Sequence, residues 1–188
     1  MTAHSELNIG LSSWIIQDGN YPDFELGKEY KFALEVGPEG LILSNEKLKS
    51  LNQTHGSQYT FDAEVLIHEP GLTVIDAGIL CYHEGQIADG LKAGDYISGD
   101  LYLGVDPFFW LESHSRRSDV PNLFYRWLVK EILLETTPWQ ESLDSTGRKY
   151  LSRIEASKSF KPVERTNAWE DDDQNAHYIL RCERLGPA

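Results

Sequence analysis

Apolar and polar positions alternate with a period of two through several stretches of this chain. Leu7, Ile9 and Leu11 alternate with Asn8, Gly10 and Ser12. Tyr30, Phe32, Leu34 and Val36 alternate with Lys31, Ala33 and Glu35, and Tyr59, Phe61, Ala63, Val65 and Ile67 with Thr60, Asp62, Glu64, Leu66 and His68. Residues 72–82 are rich in Val, Ile and Leu, and over 95–105 Ile97, Gly99, Leu101, Leu103 and Val105 alternate with Tyr96, Ser98, Asp100 and Tyr102. Toward the C-terminus, Tyr178, Leu180 and Cys182 alternate with Ile179, Arg181 and Glu183. Successive side chains of a strand point to opposite faces, so each stretch predicts a strand with one buried face.

Other segments carry a weaker signal. Over 6–17 the phase slips at Ser12-Ser13, which predicts a bulge or bend in a strand. Over 121–139, Phe124, Trp127, Leu128 and Ile132 fit helical spacing, while Tyr125, Trp127 and Val129 alternate with Arg126 and Lys130 and lead into Thr136-Thr137. Strand is the preferred reading there, and helix the alternative. Residues 38–58 and 140–176 are polar and turn-rich, with one helical turn or an unstructured tip at 45–51 and a weak strand or helix at 150–156.

A turn grammar occurs twice. Asp18-Gly19 is followed by Asp23, then Gly27 and a strand ending at Gly37; Glu84-Gly85 is followed by Asp89, then Gly94 and a strand ending at Gly104. Glycine and aspartate shape tight turns between strands, so the pattern marks β architecture, whether by a two-fold repeat of 6–37 and 72–105 or by shared turn chemistry. Together these elements predict a single all-β domain, mainly antiparallel, over 1–188, with room for one short helix. The expected architecture is a small Greek-key barrel of OB/SH3-like type, with a β-sandwich as second choice.

Composition narrows the class. Apolar residues make up 40% of the chain, enough for a core, and no apolar run approaches the roughly 18 residues of a membrane helix. The start of the chain has neither a basic nor an apolar leader region, so a cytoplasmic protein without a membrane partner is expected. Cys81 and Cys182 sit in strand-like contexts and read as buried, reduced thiols.

The net charge of −13 is uneven: residues 1–100 carry sixteen acids and five bases, residues 101–188 fourteen and twelve. Such a field disfavours nucleic acid and anionic membranes and suits a basic protein partner. Phe108, Phe109, Trp110, Trp127 and Trp139 interleave with Arg116, Arg117, Arg126 and Lys130, yet residues 115–165 hold only ten bases against seven acids, far from a nucleic-acid stripe.

Four sets of residues carry candidate chemistry. Asp171, Asp172 and Asp173 with His177 could offer oxygen and nitrogen ligands to a metal, although their spacing is not that of a calcium loop. His4, His55, His68, His83, His114 and His177 show no zinc spacing. The two acid-Gly loops bring Asp18, Tyr21, Asp23 and Asp89 forward as binding residues, and Trp14, Tyr21 and Trp110 would line the mouth of a small-ligand barrel. No phosphate loop, nucleophile elbow or other catalytic motif is present, and no cofactor is predicted. The leading expectation is a non-enzymatic binding protein that turns an acidic surface and exposed aromatics toward a basic protein. A metal-binding protein and a small-ligand barrel are the alternatives.

Overall fold

Among the described residues thirteen strands carry the chain, and in the long ones alternation explains which face is buried. The computed structural model describes residues 6–187; His4 of the histidine set lies outside the described residues. The strands are β1 (Glu6–Ser12), β2 (Glu29–Phe32), β3 (Leu34–Ser44), β4 (Ser50–His55), β5 (Gln58–Glu69), β6 (Leu72–Asp76), β7 (Leu80–His83), β8 (Tyr96–Val105), β9 (Tyr125–Glu135), β10 (Trp139–Leu143), β11 (Lys149–Arg153), β12 (Phe160–Val163) and β13 (His177–Pro187). One short α-helix, α1 (Ser13–Gln17), follows β1, and a single π-helical turn covers Trp110–His114.

Eleven strands share one mixed sheet in the order β12-β9-β13-β1-β8-β3-β7-β6-β5-β4, with β2 paired to β9; β10 and β11 form a separate hairpin. β5 also pairs antiparallel with β8, so hydrogen bonding runs in a ring from β3 through β8, β5, β6 and β7 back to β3. The two parallel contacts are single bridges, Glu35 opposite Tyr82 and Gly10 opposite Gly104. The ring holds residues 34–105. β1, β13, β9, β12 and β2 extend the sheet outward from its β8 side, with β13 between β1 and β9.

The main core draws from both parts: Leu34, Phe61, Val65, Ile75 and Leu103 from the ring, and Ile9, Trp127, Ile132, Leu180 and Cys182 from the outer strands. Full burial of one such aliphatic or aromatic side chain stabilises by about 1.5–3 kcal/mol. A second, smaller cluster lies on the opposite face of β6 and β7. There Leu72, Val74 and Tyr82 pack against Trp110 and Leu123 of the 106–124 connection.

The seam between ring and outer strands needs glycine. A Cβ on Gly10 would lie 1.9 Å from Tyr102 Oη, because the Tyr102 ring is laid across Gly10 and Gly104.

The all-β expectation holds, and 121–139 forms strand β9. Several local expectations are corrected. Residues 13–17 leave the predicted strand for α1, because Ser13 N–H bonds Ala176 O at 2.8 Å and its hydroxyl bonds Gln174 O at 2.8 Å, pulling the chain off the sheet. Residues 72–82 are not one strand. They turn at Gly78, whose φ of +86° suits glycine, and fold back as the β6–β7 hairpin. The turn-rich 38–58 segment holds the end of β3 and all of β4, and 140–176 holds β10, β11 and β12. The two segments with shared turn grammar differ in form: β1 leads into a helix and pairs β13 and β8, whereas β6 leads into a hairpin and pairs β5 and β7.

Candidate functional site

An exposed aromatic and acidic surface forms where α1 meets the 167–175 loop. Gln17 ties the two together, its amide donating to Ala168 O at 2.6 Å and Gln174 O at 3.0 Å. Trp14 projects from α1 with 48% of its surface exposed, and Trp169 projects from the loop with 57%. Asp18 caps the C-terminal end of α1. Among the described residues, neither the Asp18 nor the Asp173 carboxylate has an ion-pair partner.

Polar contacts beneath fix this surface. Asp23 accepts from Thr166 Oγ1 at 2.9 Å and Ala168 N–H at 3.2 Å and pairs with Arg165 at 3.2 Å, holding the start of the loop. The acidic run itself forms a 3-10 turn in which Asp172, Asp173 and Gln174 take left-handed φ values of 48°, 49° and 71°. That turn sends the three aspartates apart. Asp171 accepts from Tyr178 Oη at 2.7 Å, which together with burial raises the Tyr178 phenol. Asp172 pairs with Arg153 and accepts from Trp139 Nε1 at 3.0 Å, while the Arg153 guanidinium stacks 4.0 Å from the Trp139 ring. Asp173 points outward. His177 instead meets Ser12 Oγ, at 3.3 Å. Among the described residues no group of three or more His, Cys, Asp or Glu is arranged to hold a metal ion.

Of the other expected binding residues, Tyr21 is buried against Phe24, Phe32 and Phe108 in the main core. Trp110 is 1% exposed and packs 5.2 Å from Tyr82 in the second cluster. The two therefore line no common mouth with Trp14, because each is consumed by a different core. Asp89 is exposed in the loop between β7 and β8, a loop pinned to β5 by Val65 N–H to Asp95 O at 2.8 Å. Sequence reasoning passed over Trp169 as a binding residue. Its signal was a tryptophan set against four consecutive acids with no apolar partner in phase.

Charge follows the architecture. Residues 34–112, which contain the whole ring, hold thirteen acids and three bases. On the outer face of the ring, Glu39 lies directly opposite Asp100, two exposed carboxylates in neighbouring strands. Asp62 beside them is held by the hydroxyls of Ser50 and Ser98, each at 2.7 Å. Lys49 bridges Glu64 at 2.6 Å and Asp76 at 2.8 Å, and the two carboxylates hold its ammonium above its ordinary range.

A second acidic group is buried. Asp106 is fully buried; its Oδ1 accepts the Tyr82 hydroxyl and the Trp110 N–H, the Phe108 and Phe109 N–H groups act on the carboxylate, and Oδ2 has no partner. Burial raises Asp106 while those donors oppose the rise. Glu35 is pushed up to about 7, first by burial, then by Asp106 and Glu84.

Cys81 and Cys182 are free and buried, and burial raises both thiols. No helix among the described residues is long and apolar enough to cross a membrane. No protein-family model, curated protein or solved structure matches the chain.

Proposed function

We propose that this protein is a non-catalytic binding protein that docks a basic protein partner on the surface formed by α1 and the 167–175 loop. The observation that carries this reading is the pair Trp14 and Trp169, exposed on two segments hydrogen-bonded to each other, with Asp18, Glu170 and Asp173 around them. Tryptophan is the side chain most enriched among interface anchors, and it receives lysine and arginine on its ring face. The carboxylates, and the acidic ring behind them, draw a cationic surface in and orient it.

Rigidity supports the same reading. The loop is held from below by Asp23 and from the side by Arg153, so little order need be gained on binding. The strand order β8-β5-β6-β7 reads as a Greek key, and β3, lying between β7 and β8, would close it into a small barrel as scaffold. The two free thiols fit a reducing compartment, and we take the site of action to be cytoplasmic.

The test compares capture from native lysate at low salt by the wild-type protein and by a Trp14→Ser, Trp169→Ser variant. A basic protein held near stoichiometrically by the wild type is expected. It should be released above about 0.5 M salt, where screening shortens to a few ångström, and lost from the variant. Binding that survives both the salt and the double substitution would overturn the reading.

A further inference from the structure

A cleft of about 130 Å³ opens at the seam where the ring meets the outer strands. Its ionisable residues come from four separate segments: His55 from the end of β4, Glu135 from the end of β9, Lys158 from the connection before β12, and His177 from the start of β13. Nothing in the sequence brings these together. Convergence of distant ionisable groups in one concavity is what distinguishes a ligand site from an ordinary solvated face.

The Tyr102 ring covers Gly10 at the floor, where no side chain has room. Tyr178, Phe160 and Ile179 line the cleft together with Lys158, His55, His177 and Gln58. Burial lowers the His177 imidazole, with Glu135 and Asp172 opposing the fall and Arg153 and Lys158 adding to it. Lys158, His55, His177 and Gln58 bring N–H donors to the cleft, and Glu135 is its lining carboxylate.

We infer that this cleft binds a small oxyanion, a carboxylate or phosphate group, held by Lys158, His55 and His177. An oxyanion accepts from several donors at once, and charge-assisted hydrogen bonds of this type are about twice as strong as neutral ones. The inference does not depend on the docking surface at α1, since it uses different residues.

The experiment titrates inorganic phosphate and, separately, acetate into the full chain at pH 7 with ionic strength held constant by chloride. The readout is the ring C–H resonances of the histidines. Saturable shifts confined to His55 and His177 are expected, with a Kd of about 1–10 mM or tighter. Lys158→Met and His177→Ala should each weaken binding about tenfold or more without lowering the melting temperature. Response to one anion and not the other identifies which group the cleft takes. Shifts that never saturate, that spread to His68, His83 and His114, or that persist unchanged in both variants would overturn the inference.

Discussion

Glu35 offers a direct test of the electrostatics at the heart of the ring. Its ordinary value of 4.5 is raised to about 7 by burial and by the carboxylates of Asp106 and Glu84. The folded protein therefore holds the Glu35 proton more tightly than the unfolded chain does. Between about pH 4.5 and 7 the folded state carries more bound protons, and stability falls as pH rises through that window. Below it the contribution is fully present; above it the loss is complete and constant. A shift of this size would correspond to about 3 kcal/mol for a fully buried group, and partial contact of Glu35 with solvent reduces it to about 1–2 kcal/mol. Glu35→Gln keeps the shape and removes the titration. Urea unfolding at pH 5 and pH 8 should show the variant gaining about 1–2 kcal/mol relative to wild type on going to pH 8, with equal m-values. A gap between the two proteins that does not change with pH would refute the reasoning. So would a wild type that grows more stable from pH 5 to 8 while the variant does not.

Asp106→Ala leaves the Tyr82 hydroxyl and the N–H groups of the 108–110 turn without their acceptor; a loss of about 2–4 kcal/mol is expected, together with a weakened near-ultraviolet dichroism signal from Trp110. Gly10→Ala should cost about 1–3 kcal/mol through collision with the Tyr102 ring, and Tyr102→Leu in the same chain should recover most of that loss in thermal melts.

The strands with clean alternation were legible because one face is dry and the other wet. β5 and β8 follow their predicted bounds to within a residue or so, since Phe61, Ala63, Leu101 and Leu103 enter the core while Thr60, Asp62, Ser98 and Asp100 face outward. β9 read ambiguously because its buried phase shifts from Tyr125, Trp127 and Val129 to Ile132 and Leu134, where a break in register at Lys130 interrupts its pairing with β13. β4 and β10 escaped notice, and β11 showed only as a weak strand or helix at 150–156, because most of their residues are exposed, so backbone pairing rather than hydrophobic patterning holds them. In the surface at α1, Asp18 and Asp23 were nameable from turn chemistry, and Trp14 only as an aromatic at the mouth of a ligand barrel. Their meeting with Trp169 depends on Gln17 reaching across some 150 residues, a contact with no local signature. The acidic run misled in the opposite way: a left-handed turn aims neighbouring aspartates at different partners, and adjacency in the chain says nothing of convergence.

The position of β13 between β1 and β9 has a consequence for how the chain is made. β1 is synthesised before the ring, yet its long antiparallel partner, residues 177–183, emerges only after β9 and β12. Residues 34–105 can complete their ring on the ribosome, whereas β1 and β9 must wait with an edge uncovered until the final strand slides between them. The closing event is therefore a slow, long-range one, and in that interval the nascent chain is open to capture by another strand or by a chaperone.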